Sequence, residues 1–242
     1  MLVIRGIIIT IGLLLIWQFI VWAGHIAPYI LPSPWFVFQT LFQDFGIIMS
    51  QAKATAIETV LGFLIGVGFG ALAALIIAYF KSLSLWLLPI LIVSQAIPTF
   101  AIAPILVVWL GYGIASKVAV AAIVIFFPVT SNFYDGLTRT PQIWLDLAKT
   151  MNASHWKTLW HVRIPAALPN FASGVKIAAV FAPVGAIVGE WVGSSQGLGY
   201  LMLNANARMQ INMMFAALLV VIIITLLLYF IVTQVLKRII VW

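Results

Sequence analysis

The residues able to do chemistry are few. The 242-residue chain has five carboxylates (Asp44, Glu58, Asp135, Asp146 and Glu190), three histidines and no cysteine. Without cysteine there is no disulfide, no thiolate metal site and no thiol nucleophile. His25, His155 and His161 form neither a metal set nor a catalytic triad. No Gly-x-x-x-x-Gly-Lys-Ser/Thr loop is present to cradle phosphates. The chain therefore reads as a non-enzyme that binds no cofactor of its own. What remains is polar groups set in apolar sequence. Gln95 with Pro98, and Glu190, are candidates to line a polar path, because such groups are disfavoured in a bilayer unless they have a task. For Glu58 and Glu190 a simpler reading is that each reaches the head-group region from near the end of its span.

These groups must be positioned by helices that live in lipid. Of the chain, 64% is hydrophobic and only 7% charged, with mean hydropathy +1.20. A soluble domain carries about 25% charged residues, so the composition suits a bilayer, where lipid-facing surface need not be polar. The fold class expected is all-α, a polytopic membrane helical bundle forming one domain over 1–242. A bilayer core takes about 20 apolar residues per helix. About six stretches qualify by that criterion, namely 7–22, 56–80, 85–110, 118–133, 171–192 and 213–236. The first could be a cleaved leader, but no small-x-small site follows it, and it reads as a retained span.

Positive charge sets the expected orientation. With both termini in the cytoplasm, Arg5, Lys81, Arg139, Lys149, Lys157, Arg163, Lys176, Lys237 and Arg238 lie inside, and Lys53, Lys117 and Arg208 outside, nine against three. The net charge of +7 is then a matter of topology and anionic lipid. No basic run of the kind that contacts nucleic acid is present. The first outside connection carries Pro28, Pro32 and Pro34 and a weakly amphipathic piece over 35–49. It reads as an interfacial segment or a docking surface for an external protein.

The connection at about 134–170 is the most polar part of the chain and is longer than a mere link requires. Thr140 can cap a helix with Pro141 at its first position. Ile143, Trp144, Leu147, Ala148 and Met151 recur at helical spacing. Asn152 tolerates the left-handed conformation that ends helices, Ser154 can cap a second short helix, and Pro165 and Pro169 are expected to stop it. Within the spans, small residues recur every four positions. Gly62, Gly66 and Gly70, followed by Ala74 and Ala78, form one row, and Gly185, Gly189 and Gly193 form another. Such rows allow close helix packing, within one subunit or across a dimer.

The loop also carries a resemblance. Asp146-Leu147-Ala148, three residues, Asn152, nine residues, then Val162-x-Ile164-Pro165 is similar to the Glu-Ala-Ala coupling loop of ATP-binding-cassette importer permeases, with the same spacing throughout. The stretch 98–104 with Gly111-Tyr112-Gly113, and Gly189-Glu190-Trp191-Val192 followed by Gly197-Leu198-Gly199-Tyr200-Leu201, resemble the same family. The resemblance implies a type I importer permease fold, a cytoplasmic ABC ATPase that hydrolyses ATP, an extracytoplasmic solute-binding protein, a permease homodimer, and residence in the bacterial inner membrane. It places the ATPase seat on Asp146, Leu147, Ala148, Asn152, Trp156, Val162, Ile164 and Pro165. The branch resembles permeases for sulfonates, taurine, nitrate and thiamine-precursor pyrimidines, and 185–195 with 204–210 is most similar to hydroxymethylpyrimidine permeases. The rival class is a stand-alone ion-coupled carrier, which should bury paired charges near mid-membrane.

Overall fold

The computed structural model describes residues 2–240. Those residues fold as helices: α1 (Leu2–Ala23), α2 (Pro34–Gln43), α3 (Phe45–Tyr79), α4 (Lys81–Ser94), α5 (Thr99–Leu110), α6 (Ile114–Thr138), α7 (Gln142–Thr150), α8 (His155–Thr158), α9 (Ile164–Gly193), α10 (Leu198–Ala207) and α11 (Ile211–Ile239). Among the described residues, four helices are long and apolar enough to span a bilayer alone, and α4 with α5 makes a fifth if the bent pair is one span. Apolar α1 is shorter by that measure and touches the rest mainly through α2 and a Trp17–Phe215 ring contact at 5.6 Å.

The centre is α6, packed between α3 and α9. Glycine makes this closeness possible. A Cβ on Gly62 would sit 2.5 Å from Ala121 Cβ, and one on Gly66 2.5 Å from Ile125 Cγ1. Gly70 meets Val129, while Gly185 and Gly189 bring α9 onto the backbone of Ala121 and Lys117 of α6. Both small-residue rows thus face a neighbour in the same chain. The main core joins Phe63, Ile125, Val129, Ala178 and Ala182 to Val232 of α11. A second core joins α2, α3, α10 and α11 around Val37, Ile48, Leu198 and Ala217.

Three boundaries depart from the sequence expectation. The expected span at 85–110 is two helices meeting at 100°, because Pro98 lacks an N–H and pushes its predecessor out of the helical region. The expected interfacial piece at 35–49 divides between α2 and the start of α3, which runs unbroken for 35 residues. Pro165 and Pro169 do not stop the second loop helix. A π turn over Leu159–Arg163 joins α8 to α9, giving one continuous helix His155–Gly193 of 39 residues. The π turn ends at Arg163, and the shift in bonding register there accommodates the missing N–H of Pro165 inside the continuous helix. The stretch after Gly197 forms a further short helix, α10.

Candidate functional site

Three constellations gather the polar side chains. The first is the loop between α6 and α9. Thr140 does not cap α7, because its hydroxyl donates to Leu137 O at 3.2 Å. The end of α7 follows the sequence expectation closely. Asn152 has φ +53°, its N–H bonds Lys149 O, and the Ala153 N–H bonds Ala148 O, both at 2.9 Å. This is the paired bonding of a left-handed helix stop. Ser154 then accepts the Lys157 N–H at 3.3 Å and caps α8.

The bend folds α7 back over the start of α9 and leaves a groove of about 990 Å³ lined by Trp144, Leu147, Ala148, Met151, Asn152, Val162 and Pro165. Ile143, Leu147 and Met151 are exposed at 79%, 60% and 74%, an apolar face of the kind that marks a contact surface. Asp146 sits on the polar side of α7, accepting from Gln142 Nε2 at 2.8 Å and Lys149 Nζ at 3.2 Å. The Gln142 amide first, and then the Lys149 ammonium, hold its carboxyl below the usual carboxylate range. Ile164 packs inward, into the cluster of Ala74, Phe133 and Leu159.

Trp156 stacks edge-on against Tyr79 and Trp160. Beside it, His155 Nε2 lies 3.3 Å from Tyr79 O at the last turn of α3. His155, Trp156 and Trp160 remain exposed, and what steadies them lies outside the loop. Tyr79 supplies the partner, and nothing in local spacing announces a contact so distant along the chain.

The second constellation is the α4–α5 break. Ser94, Gln95 and Thr99 border a cavity of about 410 Å³ whose far wall is Phe127, Ile177 and Phe181. Pro98 is the first cap of α5 and sets the bend. Of the three path candidates, Gln95 and Pro98 lie here and Glu190 does not.

Glu190 belongs to the third constellation, at the end of the bundle opposite α7. It is 1% exposed. Its Oε1 accepts from Thr55 Oγ1 at 2.6 Å, and its Oε2 from the Gly199 N–H at 2.5 Å. Thr55 Oγ1 accepts from the Leu198 N–H at 2.7 Å, and Gln51 Oε1 from the Gly197 N–H at 2.7 Å. The unpaired amides at the start of α10 are thus met by side chains of α3 and α9, and a carboxylate there is favoured by the helix dipole. Gly197, at φ +111°, has the Glu190 carboxyl where a Cβ would stand. A side chain is therefore excluded twice, by backbone and by space. Glu58, also 1% exposed, lies within electrostatic reach of Glu190 and Lys117. Lys117 is 3% exposed and donates to Tyr112 O at 2.6 Å.

The head-group reading of Glu58 and Glu190 is corrected by this burial. The spacing of Gln51, Thr55 and Glu58 on one face of α3 was the available signal. Here too is the buried charge that an ion-coupled carrier would show, but it is tied into the fold rather than set against the cavity at the α4–α5 break.

Comparison with known proteins agrees with the loop. The family model for "Binding-protein-dependent transport system inner membrane component" matches residues 66–241. A Haemophilus influenzae protein named "Probable ABC transporter permease protein" is 52% identical over 228 residues, covering 94% of this chain and 93% of the relative. The formylaminopyrimidine transport permease protein ThiX of Halalkalibacterium halodurans is 38% identical over 174 residues, covering 72% and 70%. Among solved structures, a chain of the MetNI methionine ABC transporter in an inward-facing conformation is similar with TM-score 0.59 at 17% identity, over 86% of this chain and 97% of that one. The chain is a multi-pass membrane protein with the type I importer permease fold, and it belongs to the binding-protein-dependent transport system inner membrane components, the permeases of ABC transporters.

Proposed function

We propose that this permease carries a thiamine-precursor pyrimidine, hydroxymethylpyrimidine or a close analogue, inward across the membrane. A cytoplasmic ABC ATPase grips the α7 groove and an extracytoplasmic binding protein delivers the solute. Both termini face the cytoplasm, and two copies of the chain enclose the path. ATP is bound and hydrolysed by the partner.

The observation that carries the reading is the groove itself. The exposed apolar side chains of Leu147 and Met151 that line it suit a helix seated in a partner. One unbroken helix leads from the groove, at His155, to Gly193 near Glu190. Closure of the ATPase on ATP would shift the loop. The helix would carry that shift to the opposite end, where Glu190 holds α10. ATP moves the equilibrium only by binding the two states differently, through the partner. Glu190 anchors α10, with Glu58 and Lys117 beside it, so this buried charge has a structural task and no ion need be transported.

The pyrimidine reading is supported by the resemblance of 185–195 and by the relative named for formylaminopyrimidine. A sulfonate, taurine or nitrate permease is the alternative within the family. The test is reconstitution of the tagged chain with its co-purifying ATPase and binding protein in vesicles. ATP-dependent uptake of labelled hydroxymethylpyrimidine, not displaced by taurine, is expected. A chain that purifies without an ATPase, or uptake of taurine alone, overturns the reading.

A further inference from the structure

We propose that the cavity at the α4–α5 break is a solute-recognition site for a small, flat, uncharged amino-heterocycle, with Gln95 as its specificity-determining residue. This rests on the transport reading above and names the group in the membrane domain that would select within it.

The cavity, at about 410 Å³, is in the size range of small-molecule sites, ~300–1,000 Å³. It has two unlike walls. Ser94, Gln95 and Thr99 come from the ends of two helices that Pro98 drives apart, whereas Phe127 and Phe181 come from α6 and α9. Among the described residues, no Asp, Glu, Lys, Arg or His borders it.

The bend leaves Gln95 able to bind a guest. Ser94 Oγ is satisfied by Leu91 O at 2.7 Å, while the Gln95 amide makes one long contact to Ser94 Oγ at 3.4 Å. A carboxamide offers a donor and an acceptor side by side. That pattern matches an exocyclic amino group next to a ring nitrogen, the pairing by which Gln and Asn read adenine. Aromatic walls favour a flat ring by stacking. Thr99 and Ser94 can meet a hydroxymethyl substituent, since a hydroxyl both donates and accepts.

A sulfonate fits less well. The dipole at the start of α5 would by itself suit an anion. However, a full charge among apolar walls with no cationic side chain lacks the partner that burial demands.

The test uses the permease–ATPase complex in nanodiscs without binding protein, and equilibrium dialysis of labelled 4-amino-5-hydroxymethyl-2-methylpyrimidine. Saturable binding is expected, unmoved by excess taurine. Gln95→Leu should weaken it about tenfold or more, because the ring's polar edge is then left unpaired, and Thr99→Val should weaken it less. Assembly with the ATPase and an unshifted thermal midpoint show that each variant is folded. Displacement by taurine overturns the proposal. So does wild-type affinity in Gln95→Leu, or no binding by an assembled complex. Loss of the ATPase from the wild-type preparation would instead strike the transport reading.

Discussion

Replacing Glu190 with alanine should release the first turn of α10 without unfolding the bundle. The carboxylate accepts the Gly199 N–H at 2.5 Å and the Thr55 hydroxyl at 2.6 Å, in a setting that is 1% exposed. An orphaned buried N–H costs about 1–3 kcal/mol. The Thr55 hydroxyl can fall back on Gln51 O, 3.5 Å away, so it adds less. A total near 2 kcal/mol corresponds to a roughly 30-fold rise in local opening, at 1.4 kcal/mol per tenfold. The chain has no cysteine, so Leu198→Cys, at a fully buried position in that turn, supplies a unique thiol. Maleimide labelling at this position should be about 30-fold faster with Glu190→Ala than without it. Glu190→Gln should be intermediate, since its amide oxygen still accepts one bond. A thiol at Ala179, buried in the main core, should label equally in both backgrounds. Equal labelling at Leu198→Cys refutes the anchoring role. An equal rise at Ala179→Cys would mean global unfolding.

Other expectations concern packing and coupling. Asp146→Lys removes the acceptor of Gln142 and Lys149 and reverses a charge beside the groove. The complex should hydrolyse ATP with uptake largely lost while membrane levels hold, and unchanged transport would contradict the role. Because the Asp146 carboxyl is held low, its contribution is present above the ordinary carboxylate pKa and fades only as pH falls through the lowered value. The ratio of wild-type to Asp146→Asn coupling should therefore be flat from about pH 5 to 8. Gly66→Ala meets Ile125 side-chain atoms at 2.5 and 2.7 Å and Ala122 O at 2.9 Å, and should destabilise by about 1–3 kcal/mol. Gly68→Ala meets nothing within 4 Å and should be neutral or gain up to ~1 kcal/mol. Thermal midpoints in one detergent separate the two.

Much of the scaffold could be read from residue type and spacing. The apolar runs gave the helices their places, and Asn152 stops α7 as its chemistry suggests. Proline was the harder residue. Pro98 breaks a span, whereas Pro128, Pro169 and Pro183 lie inside continuous helices. Neighbouring helices decide which outcome holds, and they are invisible in a local window. The same is true of Glu190, whose partner Thr55 is 135 positions away. Polarity alone could not tell a carboxylate reaching lipid head groups from one buried against the start of a helix. Nothing in the local spacing of 197–206 announces α10, whose first amides are met by side chains from α3 and α9. Gln95 was legible as a polar residue next to a proline. That Phe127 and Phe181 face the same cavity required the tertiary structure.

The account depends most on the α7 groove being held by the ATPase from inside the cell. Leu147→Cys and Met151→Cys, each the sole thiol of the chain, can be treated with a short bismaleimide in membranes carrying the whole transporter. Cross-linking to the ATPase is predicted at both positions, with efficiency that changes when ATP is added. Labelling of these thiols by an impermeant reagent from outside the cell, or no cross-link in an assembled transporter, would contradict it.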